Sequence, residues 1–574
     1  MNMTQWSLLG PFFQRHTVRI FLTCVVGILS SMATILLPVS IGKFYALVFS
    51  FEGQRAMLLD FLPAHYCDTV PHFLGLFAVF IGLYAVTHYG KRYLTASAGE
   101  LWIYELRNQL FKHQLKLNTR VYEEKGVGKY LLRYSGDLKS IQNYLTKGII
   151  GFTSDIVLIV CFVWVLATVS YLLTFISLLA MGLMLVPISL LNQRLHTISL
   201  DRRNQKSGLL SFVSQRLQAI VTIKAFNRAQ PEGNQFENRS RKVFQTGCAF
   251  HRLSSFIFVL IPTLLYAMIG VIMYAIHLQK AAGVVIDQAS LLSAFLLILT
   301  MLPVFRRSLR ITVVWKLGLI SIEKLQHVLD LPLEQVGGKD DLIKGEGTIE
   351  IQDLSFGYGK TKILDQLSVQ WASHGLHLVI GGTGSGKSLL AKLLLGVYND
   401  YKGRIIINEQ DIREANIKSL RKQVTIVSDD YPLLGKTVFE AISYSRKDSK
   451  RKAAEIQLNK VQHGLPEEAK ISLDQRIGSQ GNNLSKGQES VLLFTRALLT
   501  RKPILLLDEP FRAIEPQMKT HLIRLIKRLK RKRTIILLLN HHDLQDLEFD
   551  SVTDLDAHRA APAGIVKKLR KAKA

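Results

Sequence analysis

Apolar residues along the chain gather into long runs separated by charged stretches. The first, about residues 18–49, is nearly all apolar. It is long enough to cross a hydrocarbon layer ~30 Å thick at ~1.5 Å per helical residue, and Pro38 within it is tolerable in a membrane helix. A second run covers about 73–90. Residues 149–191 are too many for one crossing and read as two, 149–169 and 171–191, turning near Ser170-Tyr171. Runs at 256–276 and 291–305, the last ending in Arg306-Arg307, make a fifth and a sixth. The pattern predicts six membrane helices.

The polar segments between the runs differ in charge. Residues 50–72 hold Arg55 beside Glu52, Asp60 and Asp68, and residues 277–290 hold only Lys280. Segment 91–148 is basic throughout, from Lys91 and Arg92 to Lys147, and so is segment 192–255, with Arg202, Arg203 and Lys206. Basic loops stay on the cytoplasmic side. Both long segments and both termini are therefore expected inside, in a plasma (inner) membrane. Helical spacing of apolar residues at 101–117 and 209–226 makes these segments extensions of the membrane helices. Lys43 and Asp155, near span ends, fit either a substrate path or side chains that snorkel to the interface.

The pattern then changes. Residues 331–346, with Pro332, Gly337-Gly338 and Asp340-Asp341, read as a linker. From 347 to 574, short apolar runs at 376–380, 504–507 and 534–539 read as buried strands alternating with helical stretches. The expected fold class is a multidomain membrane protein: an all-α six-helix transmembrane domain (1–330), then an α/β P-loop NTPase domain (347–574).

Composition refines this picture. Of 574 residues 48% are hydrophobic, and the net charge is +28. A basic excess suits nucleic acid or loops facing anionic lipid, and its placement between apolar runs favours lipid. The basic stretches 519–533 and 567–573 read as a solvated helix face and a tail, and the first lacks interleaved aromatics, so no nucleic acid is expected. Cys24, Cys67, Cys161 and Cys248 are far apart and form no CxxC, which argues against a metal site or a disulfide framework. The first apolar run is too long for the core of a cleavable signal peptide.

The chemistry lies in the second domain. Gly381-Gly382-Thr383-Gly384-Ser385-Gly386-Lys387-Ser388 reads G-x-x-x-x-G-K-S between an expected strand and an expected helix. Glycines let successive N–H groups converge on one anion, and the helix start adds its positive dipole end. Lys387 is placed for the β- and γ-phosphates and Ser388 for Mg²⁺. Asp508 and Glu509 end an apolar strand, the first suited to Mg²⁺ and the second to a water nucleophile. His541 follows the strand at 534–539, placed for a γ-phosphate. Leu484-Ser485-Lys486-Gly487-Gln488 opens a helical stretch at 489–499, a further anion site.

The order phosphate loop, LSKGQ, ILLLDEP, His resembles the ATP-binding cassette of ABC transporters. Six spans before one cassette look like a type IV exporter half-transporter, and the likeness covers nearly the whole chain. Residues 122–137 (YEEKGVGKYLLRYSGD) and 220–226 (IVTIKAF) look like that family's intracellular extensions. The resemblance implies that Tyr358 stacks on adenine. It also implies a homo- or heterodimer in which Ser485, Gly487 and Gln488 complete the partner's ATP site. ATP would close the dimer and hydrolysis reopen it, exposing the membrane cavity to alternate sides. The expected cofactors are ATP and Mg²⁺, and the expected cargo is an amphipathic small molecule, lipid or peptide.

Three positions depart from the family pattern. Asp429 stands where the family has the glutamine that meets Mg²⁺, Lys486 where it usually has glycine, and Arg512 where it usually has a small serine. They open an alternative: a weakly or non-hydrolysing ATP-binding half that supports a better-preserved partner. Lys387, Ser388, Asp508, Glu509 and His541 favour an active ATPase.

Overall fold

The computed structural model describes residues 3–49, 69–126, 128–281, 288–334, 337–338, 340–358, 361–444, 451–463, 465–478, 481, 483–512, 514–540 and 547–558. The expected loop residues Arg55, Glu52, Asp60 and Asp68, the tail at 567–573 and His541 lie outside them. The chain divides into two units, residues 1–115 with 125–331, and residues 116–124 with 332–574.

The first unit is helical. Among the described residues, six of its helical stretches are long and apolar enough to cross a membrane: Thr17–Tyr45, Val70–Gln114, Arg133–Thr168, Tyr171–Gln218, Ala229–Leu278 and Leu291–Leu329. The Val70–Gln114 helix has 45 residues and is about 68 Å long, roughly twice the hydrocarbon thickness, so much of it stands outside the bilayer. Phe162, Leu265, Leu297 and Ile298 fill the interior, while Phe21, Val79, Trp164 and Val259 face outward. An outward apolar surface of this kind suits lipid tails. Several buried hydroxyls do not break the apolar interior, because they donate to their own helix backbone: Thr23 to the Arg19 carbonyl at 2.7 Å, Thr87 to Leu83 at 2.7 Å, Ser177 to Leu173 at 2.7 Å.

Two features of the unit were not visible in the periodicity. Arg133–Asp137 and Tyr144–Gly151 are π-helical. Asp137, buried at the end of the first, accepts from Arg133, from Arg203 Nη2 at 2.9 Å and from Ser321 Oγ at 3.1 Å, which ties three helices together. Asp155, near a span end, pairs with Arg307 at 2.6 Å.

Beside the second π-helical stretch, Gly318 on Leu302–Leu329 lies so close that an added Cβ would meet Tyr144 Cβ at 2.5 Å and its ring at 2.8 Å. Gly318→Ala is therefore expected to destabilise the unit by about 1–3 kcal/mol, the usual cost of overpacking. A thermal melt of the detergent-solubilised chain reads this as a lowered Tm. Gly208→Ala, with nothing within 4 Å of the added methyl, serves as the control and should show no loss.

The second unit carries two sheets. One is antiparallel, in the order β2-β1-β4-β5, from β1 (Ile349–Tyr358), β2 (Thr361–Trp371), β4 (Lys402–Ile407) and β5 (Gln410–Asp411). The other is parallel, in the order β6-β7-β8-β3-β9, from β6 (Val424–Val427), β7 (Ile504–Asp508), β8 (Thr534–Leu539), β3 (Leu376–Ile380) and β9 (Ser551–Asp554). The runs LHLVI, ILLLD and TIILLL form β3, β7 and β8, and every position is buried except Ile380 and Leu539, the last residues of β3 and β8. Continuous apolar strands are what a parallel sheet covered on both faces requires. Core side chains from both faces include Leu390, Phe494, Leu505, Leu522 and Ile536. The basic helix Pro516–Leu529 buries Met518, Leu522, Ile523, Leu525 and Ile526, so its lysines and arginines form the solvated face.

Residues 116–124 interrupt the membrane segments in sequence but pack with the second unit. Leu117 bridges Leu333, Asn118 N–H donates to the Pro332 carbonyl at 3.1 Å, and Glu334 N–H donates to the Lys116 carbonyl at 2.7 Å. The short helix Thr119–Lys125 follows.

Candidate nucleotide site

In a parallel sheet the strands end together. Here the carboxyl ends of β6, β7, β8, β3 and β9 line one edge, so residues far apart in sequence become neighbours there. β3 leads into the glycine loop, β6 into Ser428-Asp429-Asp430, β7 into Asp508-Glu509 and β8 into Asn540.

The loop curls because Gly384 (φ +83°) and Gly386 (φ +102°) take left-handed backbone that residues with a Cβ resist. The Lys387–Leu394 helix begins directly after it. Lys387 is buried, and its ammonium donates to the Gly381 carbonyl at 2.7 Å and the Gly382 carbonyl at 2.9 Å. The cation thus sits inside the curl, where successive loop N–H groups converge. Ser385 is fully buried, and its N–H donates to the Gly382 carbonyl at 3.1 Å. Asp556, beyond β9, fixes the loop from outside by accepting from Gly382 N–H at 2.7 Å.

Asp508 is 7% exposed. Ser428 Oγ lies 3.5 Å from its Oδ2, and its Oδ1 is buried with no hydrogen-bond partner among the described residues. Burial pushes the carboxyl up. A hydrogen bond from Ser388 and the charge of Lys387 oppose that shift, while Glu509 and Asp430 add to it. An acid held this way, with an unused oxygen beside a serine hydroxyl, fits a divalent cation of the Mg²⁺ type. Of the two adjacent carboxylates after β6, Asp430 acts on Asp508, whereas Asp429 acts on Lys486.

Glu509 has φ +46°, a strained conformation for a residue with a side chain, held by its N–H donating to the Leu538 carbonyl at 3.0 Å. Arg512 closes the turn, its N–H donating to the Glu509 carbonyl at 3.2 Å and its guanidinium standing 3.8 Å from Glu509 Oε2. Lys486 pairs with Glu489 at 2.7 Å and feels both Asp429 and Arg512. Asp429, Lys486 and Arg512 thus share one electrostatic neighbourhood, with charges of both signs.

Ser485 caps the Lys486–Leu499 helix. Gln488 N–H donates to its Oγ at 3.2 Å, and Ser485 N–H donates to Gln488 Oε1 at 3.0 Å, a reciprocal capping box. Gln488 Nε2 also donates to the Ala469 carbonyl at 3.0 Å. Among the described residues no hydrogen bond joins Ser485, Gly487 or Gln488 to the phosphate loop. Tyr358, at the end of β1, is 42% exposed, and its hydroxyl meets that of buried Tyr398 at 3.2 Å. Beside Asp430 an apolar cavity of about 560 Å³ is lined by Leu395, Val424, Tyr431, Tyr444 and Arg496. Burial, with Asp430 and Asp508 nearby, pushes the Tyr431 hydroxyl up to about 12.

Sequence reasoning did not reach Ser428, Asp430, Tyr398, Arg120 or Glu123. Ser428 and Asp430 adjoin a strand end, a signal that was present. The others reach the site only through packing.

Known proteins resemble this chain along most of its length. The family model described as the ABC transporter transmembrane region matches residues 20–302, and the one described as ABC transporter matches residues 364–512. An ATP-dependent lipid A-core flippase of Nitrosococcus oceani is 27% identical over 83% of this chain and 79% of its own length. One of Francisella novicida is 23% identical over 84% and 83%. An uncharacterized ABC transporter ATP-binding protein of Bacillus subtilis strain 168 is 24% identical over 97% and 91%. The structure of a bacterial Atm1-family ABC exporter with ATP bound superposes with a TM-score of 0.78 at 18% identity, covering 97% of this chain and 96% of that one, a likeness of fold. The chain therefore belongs to the ABC transporter family, as an exporter-type half-transporter in which membrane-spanning helices and an ATP-hydrolysing cassette share one polypeptide.

Proposed function

We propose that the chain drives export of an amphipathic small molecule, lipid or peptide by alternating access, as a dimer with a second half-transporter. The observation that carries this reading is the buried, unpartnered Oδ1 of Asp508 beside Ser388 and Lys387. In this reading Ser388 and Asp508 hold Mg²⁺, which neutralises developing phosphate charge, with Asp429 or its neighbour Asp430 as a further acidic contact. Lys387 and the N–H groups of residues 381–388 hold the β- and γ-phosphates, and Tyr358 stacks on adenine. Glu509 accepts the proton of a water that attacks the γ-phosphorus as the bond to ADP breaks. His541 contacts the γ-phosphate. Ser485, Gly487 and Gln488, at an exposed helix start, complete the partner subunit's site. ATP favours the closed dimer because it is contacted from both sides only there, and hydrolysis releases that bias. Lysines and arginines of the inner segments support a plasma (inner) membrane with both termini and the cassette in the cytoplasm. The names of the flippase relatives favour a lipid among the possible cargoes.

A second reading rests on Asp429, Lys486 and Arg512. A cation beside Glu509 and an extra carboxylate near Lys486 suit a weakly hydrolysing half that serves a partner. One assay separates the two. The purified chain is placed alone in phosphatidylethanolamine–phosphatidylglycerol vesicles with a nitrobenzoxadiazole-labelled lipid. ATP is expected to move labelled lipid into the lumenal leaflet, where dithionite cannot bleach it. No ATP-dependent protection, for lipid or for a fluorescent amphipathic peptide, would favour the partner-half reading.

A further inference from the structure

We propose that Arg512 is a brake on hydrolysis, its guanidinium held by a closed turn against a carboxylate oxygen of Glu509. The inference rests on the reading of Glu509 as the proton acceptor given above. It goes further by making the rate depend on one removable contact within this chain.

The turn after β7 runs from Glu509 to Arg512 and is anchored along its length. At its start the Glu509 backbone is held at φ +46° by the N–H bond to the Leu538 carbonyl. At its end the Arg512 N–H donates to the Glu509 carbonyl at 3.2 Å. Between them Pro510 is buried, with the fixed φ of its ring, and Phe511 packs against the core cluster that holds Phe494 and Leu507. Backbone and core therefore bring the two ends together before either side chain is ordered. From there Arg512 Nη1 stands 3.8 Å from Glu509 Oε2. Among the described residues Arg512 pairs with no other acid. Lys486, itself paired with Glu489 at 2.7 Å, adds a like charge nearby that favours Arg512 keeping its acid.

A guanidinium is always charged and carries donors only. A carboxylate oxygen turned toward it is less free to take a proton from water. At 3.8 Å the contact is an ion pair without a hydrogen bond, and the Arg512 side chain is 74% exposed. The competition is therefore partial: it slows turnover and does not block it. Arg512 is a positioning residue in this scheme, acting through Glu509.

The test is ATP turnover by the full chain in lipid nanodiscs, with a thermal melt of each variant. R512A and R512Q should each raise kcat about two- to fivefold, the range set by an exposed ion pair, at the same KM for ATP. Salt screens such a pair, so the ratio of R512A to unaltered turnover should fall as ionic strength rises, which a purely structural role would not produce. In the E509Q background R512A should add nothing, because the acceptor it frees is already gone. If R512A lowers Tm, R512Q, which keeps a polar side chain on the turn, decides. Turnover that falls with E509Q but does not rise with the charge-removing variants would overturn the brake and leave the nucleotide reading intact. The same rise with and without Glu509 would also overturn it. Turnover indifferent to E509Q in every form would overturn both.

Discussion

Glu509→Gln is expected to lower kcat for ATP hydrolysis by about 10²- to 10⁴-fold, the range that a positioned general base contributes. The change removes one capacity, accepting a proton, and leaves the rest. Glutamine has the same length and the same cost at the left-handed backbone of this position, and the N–H bond to the Leu538 carbonyl is untouched. Asp508, Ser388 and Lys387 remain to hold nucleotide. Phosphate release by the full chain in nanodiscs measures the effect, beside a binding titration that should show ATP still bound. Equal turnover in the two proteins at a clear rate would place the proton acceptor elsewhere. Turnover of the unaltered chain no higher than that of the variant, with ATP bound, would sink the self-sufficient dimer. The charged neighbourhood of Asp429, Lys486 and Arg512 would then mark a degenerate half.

Lys387→Met should act on affinity. The buried ammonium satisfies two loop carbonyls, at 2.7 and 2.9 Å, and a bound phosphate would exchange them for a charge-assisted contact. One hydrogen bond to a charged group is worth ~1.5–3 kcal/mol, so ATP affinity should fall roughly 10- to 100-fold. Methionine keeps most of the stem that packs under the loop, which separates the lost charge from a cavity. Titration with a fluorescent ATP analogue reads the change, and a melt checks that the cassette stays folded. Unchanged affinity with an intact fold would mean that Lys387 serves only to brace the loop.

Much of this was legible along the chain. The runs LHLVI, ILLLD and TIILLL form strands because near-continuous apolar stretches, with three to five consecutive apolar residues, can be buried on both faces only in a covered parallel sheet. Ser170, placed at the expected turn, caps the helix Tyr171–Gln218 by accepting from Leu173 N–H at 3.4 Å. GGTGSGKS carries its own geometry, since its glycines allow the φ values that the curl needs. The π-helical stretches were not legible, and the groups packed against them lie far off in sequence: Asp137 meets Arg203 and Ser321, and Gly318 admits Tyr144. Nor was the effect of Asp430 on Asp508, because two adjacent carboxylates look alike in the sequence.

By itself the sequence determined the six apolar spans, the cassette, the phosphate loop and the carboxylates after β7. Each is a local matter of side-chain polarity, spacing or backbone freedom, and needs no distant partner. Only the tertiary structure decided which of these elements meet. The order β6-β7-β8-β3-β9 aligns strand ends drawn from residues 376 to 554 along one edge, where Asp508 is buried beside Ser388. Packing also took residues 116–124 out of the membrane unit and set Arg120 among Phe356, Tyr358 and Tyr398, more than two hundred positions away. An arginine on a short polar helix carries no mark of the rings it will stack on. That pairing arises from burial and shape, which no local pattern encodes.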